Sequence, residues 1–122
     1  MTALTLVIDV PAAFWLTANV NPHWAVKASR TRHLRQLGFM AARRQPAMDR
    51  ANLAAVISYP TNRRADPSNA APTVKALLDG IVDAGILPDD DHLHVPHVDY
   101  SRGPNTGERG VYRVTLTLEP LP

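Results

Sequence analysis

The chain has 122 residues, a hydrophobic fraction of 45% and a formal net charge of +2. These values suit one folded domain with a modest core and exclude wholesale disorder. Cysteine is absent, so disulfides and thiolate metal sites are excluded, and a cytoplasmic protein without a membrane anchor is expected. Basic residues fill the stretch 27–44, which holds no acid, whereas acids gather at 83–91. This distribution suits a polyanion held at one place and acted on at another.

The first half of the chain predicts a strand, a loop, a helix and a second strand. Apolar residues alternate over residues 3–10, which predicts a half-buried strand that Pro11 ends. Residues 12–26 contain Asn-Pro and other turn-forming residues, so an irregular loop is expected there. Apolar spacing then predicts a helix from about Ser29 to Arg44, and renewed alternation predicts a strand over residues 52–59.

The second half predicts a better-defined helix followed by two strands. Pro72 suits the first turn of the helix, and Gly85 suits its end. Residues 92–100 and 110–119 predict strands joined by a long glycine-containing turn. The order β-α-β-α-β-β predicts a single α/β domain over residues 1–122, in which two helices cover one face of a small mixed sheet.

Acidic residues flank the second predicted helix. Asp66 precedes it, Asp79 lies within it and Asp90 follows it. Asp66 and Asp90 could meet only if a loop folds back along the helix, whereas Asp79 could meet either of them more easily. Clustered carboxylates would suit Mg²⁺ or Mn²⁺, which can activate water and stabilise charge on a phosphoryl group, and Lys75 could hold a phosphate. The alternative is a solvated acidic turn, an ordinary surface pair between Lys75 and Asp79, and a turn initiated by Asp66 and Pro67.

Three sequence motifs lie before and within the segment that carries this helix and its acids. They are LTANVNPHW at 16–24, RRADPSN at 63–69 and VKALLDGIVDAGILPDDD at 74–91. In this order they resemble the RusA-type family of Holliday-junction resolvases, over most of the chain from Asn19 to Asp90. The resemblance implies a small RusA-like α/β fold, a homodimer, and Mg²⁺-dependent cleavage of four-way DNA junctions in recombination and repair. It also implies a bacterial, prophage or phage setting.

The resemblance implies roles for individual residues. Asp66, Asp90 and Lys75 would be catalytic, and Asp66 and Asp90, with Asp79 in support, would bind Mg²⁺, with Mn²⁺ as a substitute. Beside this site, basic and amide side chains would contact DNA, mainly through its phosphates. The residues concerned are Asn19, Lys27, Arg30, Arg32, Arg35, Arg63, Arg64 and Asn69. The alternative for the helical arginines is that they form the solvated face of an amphipathic helix.

Ser68 departs from the family pattern, which has a second acid at this position. A hydroxyl is a weak metal ligand and carries no charge. Either Asp79, Asp89 or Asp91 supplies the missing carboxylate and the enzyme is active, or the site is weakened. In the second case the protein would bind branched DNA without cutting it.

Two further features each have two interpretations. Trp24, beside His23 in the early loop, either stacks on or wedges between bases at a junction, or packs over the edge of the core. Three histidines of the predicted third strand either form a zinc site, giving a zinc-dependent or general nuclease, or belong to a polar edge strand, which Pro96 favours. These histidines are His92, His94 and His97.

Overall fold

The computed structural model describes residues 2–122, in which four strands and two helices follow one another in the predicted order. The strands are β1 (Leu4–Pro11), β2 (Ala51–Ser58), β3 (Val98–Arg102) and β4 (Val111–Pro120), and the helices are α1 (Trp24–Ala42) and α2 (Ala71–Asp83). A short 3₁₀ helix, Pro67–Ala70, leads directly into α2. Within residues 2–122, neither helix combines the length and apolarity needed to cross a membrane.

The strands form one mixed sheet in the order β1-β4-β2-β3. The long strand β4 pairs antiparallel with both β1 and β2, whereas β3 pairs parallel with β2 at the sheet edge. A parallel pair needs a crossover connection, and α2 lies in the segment that joins β2 to β3. The predicted α/β class, the mixed sheet and the order of elements are therefore confirmed.

The core lies between the sheet and the two helices. Residues of β1 alternate, so that Leu6, Ile8 and Val10 are buried while Val7 and Asp9 are exposed on the other face. The predicted apolar stripe of α2 is buried in the same cluster. Its members are Val74, Leu77, Leu78 and Ile81. Both helices thus cover one face of the sheet, and the helix face left outside carries the charged residues of α2.

Glycines allow α1 and α2 to cross at close range. A Cβ atom on Gly80 would overlap the carbonyl oxygen of Arg35 and lie 2.7 Å from the Phe39 amide nitrogen, and one on Gly38 would overlap the Leu77 carbonyl oxygen. The backbones of the two helices therefore touch. Arg35 also forms a bidentate ion pair with Asp83, the last residue of α2. The basic helix is consequently fixed against the helix that carries the motif acids.

The helix α1 begins at Trp24, earlier than the predicted start near Ser29. The imidazole Nδ1 of His23 accepts a hydrogen bond from the Ala25 amide at 3.2 Å, which caps the first turn. Residues 24–28 are all exposed. This part of the helix therefore lacks the periodic buried apolar residues from which a helix is predicted.

The predicted strand over residues 92–100 was wrong in its first half. The carboxylate Oδ1 of Asp91 accepts hydrogen bonds from the amides of Leu93 and His94, both at 3.1 Å, and contacts His94 Nδ1 at 2.6 Å. These bonds close a local turn. The histidines at 92 and 94 therefore do not share a strand face, and the geometry behind the zinc alternative is not present. The remaining strand, β3, lies at the sheet edge as predicted.

Candidate functional site

Three of the predicted site residues meet on the exposed side of α2, and we call them the Lys75 cluster. The ammonium Nζ of Lys75 donates to Asp79 Oδ1 at 2.9 Å, one turn along the helix, and also pairs with Asp90 Oδ2. The Lys75 side chain is 61% exposed, whereas that of Asp90 is 15% exposed. The cluster therefore lies at the surface, with one carboxylate largely covered.

Asp90 reaches Lys75 because the chain turns back after α2. Gly85 has a φ of 86°, a left-handed conformation that glycine adopts readily, and its amide closes the helix on the Val82 carbonyl at 2.9 Å. Ile86 and Leu87 are then buried in the core. Burial of these two side chains fixes the direction of the loop, which brings Asp90 back to α2.

The charges of the cluster shift the pKa values of its members. Burial alone would raise the pKa of Asp90, but the hydrogen bond and the positive charge of Lys75 outweigh it and hold that pKa below its ordinary 3.8. Burial would lower the pKa of Lys75, but its bonds to Asp90 and Asp79 keep that pKa above the ordinary 10.5. An ammonium is thus held between two carboxylates, which lowers their mutual repulsion.

The lowered pKa of Asp90 predicts a stability contribution that acid removes. Because the folded-state pKa lies below the unfolded-state value, this stabilisation is complete above the unfolded pKa and is lost as pH falls through the folded one. We expect the difference in free energy of unfolding between wild type and Asp90→Asn to be constant from about pH 5 to about pH 7 and to shrink below about pH 4. Urea unfolding across this range measures it, and a difference that grows toward low pH would contradict the assignment.

Asp66 makes its contacts outside the Lys75 cluster. It caps the 3₁₀ helix Pro67–Ala70, where its Oδ1 accepts hydrogen bonds from the Ser68 amide at 3.2 Å and from the Ser68 hydroxyl at 2.9 Å. The residue that departs from the family pattern therefore engages the acid that was expected to bind metal. The Asp66 side chain is otherwise exposed.

Among residues 2–122, no group of three or more histidine or acidic side chains is arranged to hold a metal ion. Asp66, Asp79 and Asp90 therefore do not form a ready three-ligand site. The Lys75 cluster meets a smaller requirement, because Mg²⁺ commonly uses one or two carboxylates and takes its other ligands from water and substrate phosphates. Asp79 and Asp90 share one ammonium and offer only oxygen donors, a set that fits Mg²⁺ or Mn²⁺.

The acids beside Asp90 have other partners. Asp89 Oδ1 accepts a hydrogen bond from the Asp90 amide at 2.7 Å. Asp91 is bonded to His94, and that bond holds the pKa of Asp91 below its ordinary value. Of the three acids that were candidates to replace the carboxylate missing at Ser68, Asp79 is the one that meets Asp90 through the shared lysine.

Asn19, Arg63 and Arg64 were predicted to bind DNA, and they line one groove of about 430 Å³. Aromatic side chains contribute to the same groove, namely Trp15, Tyr59 and Tyr112. The rings of Trp15 and Tyr112 are stacked with centroids 4.0 Å apart. A groove that combines arginines with aromatic side chains suits a nucleic-acid strand.

Arg102 positions the loop that carries the two arginines, and sequence reasoning missed it. Its guanidinium donates to the Arg63 carbonyl at 2.8 Å and to the Thr61 carbonyl at 3.0 Å, and lies 4.6 Å from the centroid of the Tyr59 ring. The sequence places Arg102 in a long turn and gives no signal of these contacts. They become available only when β3 pairs with β2.

The early loop is fixed to the start of α2. The Thr73 hydroxyl, which is fully buried, accepts from the Leu16 amide at 2.9 Å and donates to the Leu16 carbonyl at 2.7 Å. The Ala18 amide donates to the Asn69 carbonyl at 2.9 Å. These bonds bring the segment of Asn19 beside that of Asn69, as a joint DNA-binding role for the two would require.

The basic residues of α1 divide into two kinds. Arg30 donates to the Trp15 carbonyl at 3.1 Å, and Arg35 pairs with Asp83, which raises the pKa of Arg35. Lys27 and Arg32 are exposed, and neither has an acidic partner within residues 2–122. Trp24 is 76% exposed, so the interpretation that it packs over the core edge is wrong.

Comparison with known proteins leaves the family open. The chain matches no protein-family model, and no curated protein matches it at a significant level. The likeness to RusA-type resolvases therefore depends on the motifs at 16–24, 63–69 and 74–91 alone.

Proposed function

We propose that the protein is a Mg²⁺-dependent endonuclease that cleaves branched DNA, with four-way junctions as its substrate. The observation that supports this most strongly is the Lys75 cluster, in which Asp90 returns along α2 to share Lys75 with Asp79. Burial of Ile86 and Leu87 directs the loop, and the loop brings Asp90 to Lys75 with its carboxylate largely covered. The cluster also joins two parts of the motif on which the resemblance depends.

Each group of residues would have a separate role in phosphodiester hydrolysis. Asp79 and Asp90 would hold Mg²⁺, which supplies Lewis-acid stabilisation of charge on the phosphoryl group when bound. Lys75 keeps the neighbouring carboxylate of Asp90 ionised and offers an exposed ammonium to the developing negative charge. Arg63 and Arg64, in the groove, would hold backbone phosphates. For Asp66, which precedes α2, a ligand role stays a prediction.

A homodimer would present two such sites to a junction with twofold symmetry, so that paired incisions follow. This part of the proposal derives from the resemblance to RusA-type resolvases, as does a place in recombination and repair in a bacterial, prophage or phage setting.

A second candidate function is a branched-DNA-binding protein that does not cut. The hydrogen bonds from Ser68 to Asp66 favour it, because they engage one oxygen, Oδ1, of the carboxylate that the family pattern uses as a ligand. The lack of a three-ligand group within residues 2–122 points the same way. Both candidates use the same basic groove, so DNA binding alone does not separate them.

Incubation with an end-labelled four-way junction separates the two functions. Paired incisions that require Mg²⁺, and that do not occur on a linear duplex of the same sequences, would support the nuclease. A gel-shift complex with the junction, but no incision at any Mg²⁺ or Mn²⁺ concentration tested, would overturn it in favour of the second function.

A further inference from the structure

The first turns of α1 are exposed in a way that folding does not explain. Trp24 is 76% exposed and Val26 is 42% exposed, although large apolar side chains are usually well covered in a folded domain. The His23 cap fixes the start of this helix, and the rings of His23 and Trp24 are 5.5 Å apart. An aromatic ring is thus presented to solvent on an ordered helix.

Basic side chains accompany this ring along one face of α1. Together they line a surface trough of about 470 Å³. The lining residues are Trp24, Lys27, Ala28, Thr31, Arg32 and Arg35. From the first to the last of these the helix rises about 16 Å, at 1.5 Å per residue. The whole of α1 contains no acidic residue, so the charge of this face suits a polyanion.

The helix backbone beneath this face is held in place. The ion pair of Arg35 with Asp83 and the close approach at Gly38 and Gly80 hold α1 against α2. Lys27 and Arg32 stay free of acidic partners within residues 2–122. A ligand that binds here meets a helix backbone that is already fixed and two available cations, so only side chains have to be ordered on binding.

We propose that this face of α1 binds an unpaired, single-stranded segment of DNA, with Trp24 stacked on a base and with Lys27 and Arg32 on phosphates. Base stacking on an exposed aromatic ring and salt-dependent contacts to the backbone are the usual means of holding a single strand. The inference rests on the proposed function in one respect, namely that the single strand would come from unpaired nucleotides near a branch point in the DNA. An acidic partner of another kind is less well matched, because the ring offers a stacking surface for a base beside two available cations, and the acid next to the trough, Asp83, is already paired with Arg35.

Intrinsic fluorescence tests the inference directly, because the chain has two tryptophans. Trp15 is 9% exposed and stacked on Tyr112, whereas Trp24 faces solvent. We expect acrylamide to quench Trp24 in the free protein, and an oligothymidylate of ten nucleotides to quench it on binding. The Trp24→Phe variant should lose this response and bind the oligonucleotide about tenfold more weakly, as measured by fluorescence anisotropy.

The salt dependence of binding tests the phosphate contacts. Arg32→Met should make the affinity less dependent on salt concentration, and Arg113→Met, on the other face of the sheet, should leave that dependence unchanged.

Three results would overturn the inference. One is an unchanged emission at oligothymidylate concentrations that saturate anisotropy, and another is wild-type affinity in Trp24→Phe. The third is protection of Trp24 from acrylamide in the free protein, which would mean that a second copy covers this face. Junction cleavage measured on the same samples keeps the two proposals apart. Quenching without cleavage contradicts the nuclease alone, and cleavage without quenching contradicts the single-strand site alone.

Discussion

Replacing Lys75 with methionine is expected to slow junction cleavage by about 10²- to 10³-fold, the usual effect of removing a group that stabilises transition-state charge. The substitution removes the ammonium that Asp79 and Asp90 share. It also leaves the two carboxylates without the cation between them, so the pKa of Asp90 should rise. Because Lys75 is 61% exposed, the fold should persist, and single-turnover cleavage at saturating protein measures the loss.

A matched control is available on the other face of the sheet. Arg113 pairs with Asp9 at 2.6 Å on the face that the helices do not cover, so Arg113→Met removes the same formal charge far from α2. We expect it to cleave at close to the wild-type rate. Equal loss in the two variants would indicate a general electrostatic effect on DNA binding, and full activity in Lys75→Met would place the chemistry elsewhere.

Gly80→Ala is expected to lower the free energy of unfolding by about 3 kcal/mol, the upper part of the range for overpacking a close contact. The added Cβ would overlap the Arg35 carbonyl oxygen and lie 2.7 Å from the Phe39 amide nitrogen. Both are backbone atoms of α1, so no side chain can move aside. Helix propensity alone would favour alanine by about 1 kcal/mol. A lower free energy of unfolding would therefore indicate the steric overlap at the helix crossing, and a higher one would indicate helix propensity alone.

Gly85→Ala provides the comparison for this experiment. A Cβ there would meet nothing within 4 Å, but the residue has a φ of 86°, so the expected cost is about 1 kcal/mol of backbone strain. Urea unfolding followed by circular dichroism measures both variants. Gly80→Ala at wild-type stability or above would contradict the close crossing of α1 and α2.

The sequence predicted elements well where burial imposes a period. The helix α2 has both a buried stripe and end signals at Pro72 and Gly85, and its bounds agree with the prediction. The start of α1 was missed because residues 24–28 are exposed and so show no period. Residues 92–97 were misassigned because their apolar and polar alternation resembles a strand, whereas the side chain of Asp91 closes a local turn.

The same distinction applies to the site. The contact of Lys75 with Asp79 follows from helical spacing, so the sequence could predict it. The return of Asp90 depends on the conformation of Gly85 and on burial of Ile86 and Leu87, which spacing alone does not determine. Arg102 had no sequence signal, because its partners at residues 61 and 63 are reached only across paired strands.

The central claim, that the Lys75 cluster is the site of cleavage, is tested most directly by comparing Asp90→Asn with Asp91→Asn. Adjacent in sequence, the two acids have different partners, since Asp90 pairs with Lys75 and Asp91 with His94. In single-turnover cleavage of a labelled four-way junction with Mg²⁺, Asp90→Asn should lose at least about 100-fold in rate, and Asp91→Asn should stay near wild type. Both should bind the junction about as tightly as wild type. Wild-type cleavage by Asp90→Asn, or a larger loss in Asp91→Asn, would contradict the account.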